Sequence, residues 1–123
     1  MRQLSFLFAA LLLFGCAKSH KPVSFREQIQ PILAERCVSC HGAEKARGKV
    51  VLTSYETFIK SRTVSGKEPL AIAGNPGESR LFVLCATQQV HFRMPPDTTT
   101  IPPLTQAEVE LVGKWIQQGM QDN

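Results

Sequence analysis

Two cysteines three positions apart, with a histidine directly behind them, restrict this chain more than any other stretch. They are Cys37, Cys40 and His41, in "RCVSCHG". A short turn must bring two thiols and an imidazole to one side, and whatever they bind dictates what packs around it. C-x-x-C-H is the spacing of a c-type haem attachment site. Two thiols so placed can add to the two vinyl groups on one edge of haem. The adjacent histidine then falls under the iron and offers Nε2 as proximal ligand.

Other readings use the same atoms. A thioredoxin-like redox pair wants a βαβ setting, and no such pattern is present. Half of a zinc site would take its remaining ligands from Cys85 and His91. A Cys37–Cys40 disulfide would close a tight, strained loop. The histidine behind the pair, in a chain that opens with a leader, favours haem.

That leader is residues 1–15. Arg2 supplies a positive start, and Leu4 to Phe14 is apolar except for Ser5. The run is too short to span a bilayer and reads as a signal peptide. "LFGC", ending at Cys16, resembles a bacterial lipobox, which implies lipidation of Cys16 and a tether over residues 16–22. Six or seven extended residues reach about 20–25 Å, so the folded part, residues 23–123, would sit close to the membrane. The expected place is the periplasmic side of a bacterial membrane, and Ala17 rather than Asp behind Cys16 favours the outer membrane over the inner. The ordinary alternative is a plain secretory leader, with Cys16 left as a thiol.

Helical signals come next. "SFRE" has capping-box form, with Ser24 as N-cap and Glu27 reaching back. Phe25, Ile29, Ile32 and Leu33 then make one apolar stripe, interrupted at Pro31, which predicts a kink or an irregular first turn. Residues 48–61 are ambiguous: Val50 to Leu52 suit a short extended piece, Ser54 to Lys60 one or two helical turns. Asn75 is expected to cap a second helix with Pro76 at its first position. "TQAE" from Thr105 opens the clearest helix, with Leu111, Val112, Trp115 and Ile116 on one face and Gly119 as the stop. No alternating pattern is long enough for a sheet, so the expected class is all-α. The two stripes are each other's best partner surface.

A haem bound through His41 needs a sixth ligand. The domain has two methionines, Met94 and Met120. Met94 lies in "RMPP", where two prolines stiffen the backbone, so its thioether can be held over the iron at small entropic cost. Met120 is near the C-terminal end and reads as packing. His91 is the rival on the same loop, and His20, in the tether, is the remote one.

Together "CVSCH", "GNPGESRLF", "MPP" and "LTQAEVELVGKWIQQG" resemble a class I c-type cytochrome. More narrowly, the opening "IQPILAERCVSCHG" and the close resemble the planctomycete-type cytochrome c domain over roughly residues 23 to 120. The resemblance implies a cytochrome c-like fold of three to five helices around one covalent haem c. Cys37 and Cys40 would be its thioether sites, His41 the proximal and Met94 the distal iron ligand. Cys85 is an extra thiol, read as a small buried apolar residue.

A haem with both axial positions filled exchanges electrons without binding a substrate. No catalytic triad, paired carboxylates or phosphate loop appears, so the chain reads as a carrier of single electrons between redox proteins and not as an enzyme. The alternative is a haem sensor or a peroxidase-like domain whose sixth ligand is labile. With a formal charge of +4, Lys45, Arg47, Lys49 and Arg93 would steer an acidic redox partner if they ring the haem edge. Otherwise they are ordinary surface charges. Nucleic acid is not an expected partner.

Overall fold

The computed structural model describes residues 21–123. The leader, the lipidation at Cys16 and His20 lie outside those residues. The described part is all-α, with four α-helices and no strand; its only pairings of β type are isolated bridges such as His41 with Ala46.

The first helical segment begins as a π-helical turn, Phe25–Ile29, and continues as α1, Gln30–Arg36. Pro31 explains the wide turn. Its ring would collide with the carbonyl four residues back in a regular helix and it has no N–H to donate. Letting Ile29 bond Ser24 O and Gln30 bond Phe25 O, five residues back, relieves both problems. Widening also shifts the cap. Ser24 Oγ accepts from the Glu27 N–H at 3.2 Å as expected. The side chain that reaches back to the Ser24 N–H, however, is Gln28 at 3.0 Å, not Glu27.

Helix α2, Tyr55–Lys60, resolves the ambiguous middle, with a reciprocal Ser54–Thr57 capping box. The expected second helix starts later than Asn75. Pro76–Glu78 is a separate 3-10 turn, and α3, Arg80–Ala86, follows it. The break is Ser79, which is fully buried and extended at ψ 110°. Its Oγ donates to Asn75 O at 2.7 Å and accepts from the Ile72 N–H at 2.8 Å, so it ties the loop rather than capping a helix.

Helix α4, Gln106–Gln117, opens on the Thr105–Glu108 box. It closes on Gly119 at φ +96°, with the Met120 N–H on Trp115 O at 3.0 Å, a stop that favours glycine. Trp115, at the centre of the core, is wholly buried between Phe25 and Phe58, each ring 5.4 Å away. Ile29, Leu33, Val112 and Ile116 complete the contact of the first helical segment with α4. α3 also lies on α4, at Gly113: a β-carbon there would meet Phe82 Cε2 at 2.7 Å. Among the described residues no helix is long and apolar enough to cross a membrane.

Asn123 meets the start of the first helical segment. Asn123 Oδ1 accepts from the Phe25 N–H at 3.0 Å, and its carbonyl accepts from the Arg26 N–H at 3.1 Å and from Ser24 Oγ at 2.6 Å. These take up N–H groups that the start of a helix leaves unpaired.

Candidate functional site

Arg36 ends α1, and the chain then winds through a tight turn over Cys37–Cys40. The Cys40 and His41 N–H groups both bond Cys37 O, at 3.1 and 2.9 Å. That turn gathers the motif: Cys37, Cys40 and His41 all face one cavity of about 680 Å³. Met94 and His91, from the loop between α3 and α4, face the same cavity. Met94 is positioned from behind by its N–H on Leu84 O at 2.9 Å. Met120 packs instead against the core.

His41 is oriented by its other ring nitrogen. Nδ1 lies 3.0 Å from Arg47 O, and a carbonyl can only accept, so Nδ1 carries the proton. In that tautomer the lone pair is left on Nε2, the nitrogen that could ligate a metal. The backbone repeats the clamp: the Arg47 N–H bonds Cys40 O at 3.1 Å and the Leu52 N–H bonds His41 O at 2.8 Å.

Burial pushes the Cys37 thiol up to about 11, although the neighbouring Arg36 charge pulls the other way. Cys85 is buried on the same wall and is pushed up to about 12, first by burial and then by proximity to Cys37. Both are neutral thiols at physiological pH, as an apolar wall requires. Leu52, Leu70, Leu81 and Leu84 supply much of the remaining wall.

This donor set fits haem. It offers two thiols on one turn, an imidazole with a free Nε2, a thioether on a stiff loop and an apolar cavity. Among the described residues no group of three or more His, Cys, Asp or Glu side chains is placed to hold a metal ion directly, which disfavours the zinc reading.

Sequence reasoning missed three contributors. Arg36 is held at 3.1 Å by Glu108 across the α1–α4 contact, beside Cys37. Arg80, the first residue of α3, and the loop carrying Thr63, Val64 and Glu68 also line the cavity. Arg36 and Arg80 lie inside the quoted motifs "IQPILAERCVSCHG" and "GNPGESRLF", but nothing local says that their side chains reach the cavity; long-range packing brings them here. Of the four cations expected at a haem edge, Arg47 lines the cavity, and Lys45, Lys49 and Arg93 do not. Arg93 Nε is buried without an acceptor among the described residues.

A family described as Planctomycete cytochrome C matches residues 37–98, which hold the C-x-x-C-H turn, α2, α3 and the Met94 loop. No curated protein and no solved structure matches the chain.

Proposed function

The chain belongs to the planctomycete cytochrome c family, and from that premise we propose that it is a monohaem electron carrier, anchored by lipid at the periplasmic face of a bacterial membrane. Covalently bound haem c and haem-based electron transfer follow from the family. The residue roles, the single haem and the place in the cell are our reading.

The observation that carries it is the convergence of Cys37, Cys40, His41 and Met94 on one cavity. Cys37 and Cys40 would form the two thioethers. His41 Nε2 and Met94 Sδ would hold the iron. Bound there, haem supplies a one-electron couple at its iron, and histidine–methionine ligation raises its potential relative to other ligand sets. The chain's own residues do the rest. Arg47 O fixes the His41 tautomer, the Pro95–Pro96 segment stiffens the approach of Met94, and the leucine wall excludes water. Ligands held this way move little when the charge changes, which keeps electron exchange fast.

With His41 and Met94 both holding the iron, no coordination site would be left for a substrate, so our reading is a carrier rather than an enzyme. Lys45 and Lys49, exposed and two residues on either side of the cavity-lining Arg47, would attract an acidic redox partner. Rates with such a partner should fall as salt rises; a flat dependence would remove the steering.

The test is expression with the leader in a haem-maturing host. Purified protein should be red, heavier by one haem and lipidated at Cys16. Colourless protein would refute the haem reading; a lipid-free N-terminus would refute the anchor alone. Carbon monoxide binding by the native reduced protein would replace the carrier with a sensor or peroxidase-like domain.

A further inference from the structure

We propose that Arg47 and Arg80 hold the two carboxylates of the haem, an assignment that rests on the haem reading above. Haem is an apolar disc with both carboxylates on one edge, the edge opposite its two vinyl groups. If Cys37 and Cys40 take the vinyl edge, the carboxylate edge must find cations or water elsewhere, because an unpaired carboxylate against apolar side chains is costly.

Three arginines line the cavity: Arg36, Arg47 and Arg80. Arg36 is already engaged, by Glu108 at 3.1 Å and by Glu35 at 3.4 Å. The side chains of Arg47 and Arg80 make no hydrogen bond or ion pair among the described residues. Glu68, the acidic side chain on the same wall, does not compete for them. Its Oε2 accepts instead from Thr63 Oγ1 at 3.2 Å and Ser65 Oγ at 3.4 Å. Two free guanidinium groups therefore reach one apolar cavity from separate parts of the chain, the turn behind His41 and the start of α3. Both residues are exposed, which places their charges where the cavity opens to water. A guanidinium fork matches a carboxylate in shape and charge, as a lysine ammonium does not. Arg47 would act twice, its carbonyl orienting His41 and its side chain holding the haem edge.

The experiment compares Arg47→Gln, Arg80→Gln and the two Arg→Lys variants with the parent holoprotein. Arg26→Gln removes the same charge at the far end of the first helical segment, where Arg26 pairs with Asp122. Covalent haem is measured by mass, the reduction potential by titration, and the carboxylate stretching bands by oxidised-minus-reduced infrared spectra. Each Gln variant should keep its haem, shift a carboxylate band and move to lower potential, since a positive charge near the iron has been lost. The Lys variants should keep most of the potential but still shift the band. Arg26→Gln should change neither. Carboxylate bands that superimpose on the parent in both Gln variants would overturn the assignment. Should a Gln variant emerge without haem, its Lys counterpart decides in the same way, an unshifted band overturning the assignment for that residue. A parent protein with no covalent haem would instead refute the haem reading itself.

Discussion

Met94 and His91 face the same cavity, so single substitutions separate them. Met94→Ala should leave covalent attachment intact, lower the potential and open the iron to carbon monoxide. The long-wavelength absorbance that marks an iron–sulfur bond in the oxidised protein should vanish with it. An unchanged spectrum would move the sixth ligand to His91. At this scale the site was legible where the chemistry is local. Cys37, Cys40 and His41 are contiguous, and the prolines behind Met94 advertise a stiff loop. Arg80 was not legible, because nothing near it in sequence says that the start of α3 opens onto the cavity. The Gln28 cap was hidden for a related reason. Its position depends on the widened turn ahead of Pro31, and a capping-box pattern assumes a regular one.

Between elements, two contacts set the frame. Gly113 lets α3 lie close on α4, and a methyl group there would drive into the Phe82 ring. Gly113→Ala should cost about 1–3 kcal/mol in denaturant unfolding, the scale of overpacking a core. Phe82→Leu in the same background should recover part of that loss. The second contact is Arg36–Glu108. Burial raises the Glu108 carboxyl, but the Thr105 N–H, the Arg36 guanidinium and the Thr105 hydroxyl outweigh it and hold the group below the usual glutamate value. A depressed folded-state value stabilises above the unfolded value, and the contribution fades as pH falls through the folded one. Arg36→Met should therefore destabilise at neutral pH by about 1.5–3 kcal/mol, the scale of a hydrogen bond to a charged group. The difference from the parent should shrink below the ordinary carboxylate range; a gap constant down to strong acid would discard the pair as its cause. The first helical segment and α4 were readable from their stripes and boxes, whereas α2 stayed ambiguous and α3 was expected to start too early, at Asn75. Residues 61–79 were not, since Ser79 gains its role only when buried against Ile72 and Asn75.

For the whole molecule the cavity sets the balance. The cavity, about 680 Å³ and open to water, is walled largely by leucines, so the protein without its cofactor must leave that apolar wall wet or collapse onto it. Cys37→Ala with Cys40→Ala should thus give a chain with weakened near-ultraviolet dichroism and low cooperativity on heating. A sharply melting apoprotein would count against this. The knot between Asn123 and the start of the first helical segment carries a different consequence. That segment, twelve residues from Phe25 to Arg36, is about 18 Å long, with Asn123 at one tip and Cys37 just beyond the other. If Cys16 is lipidated as proposed, the tether would join the domain at the tip remote from the Cys37–His41 turn, the length of a helix away from it.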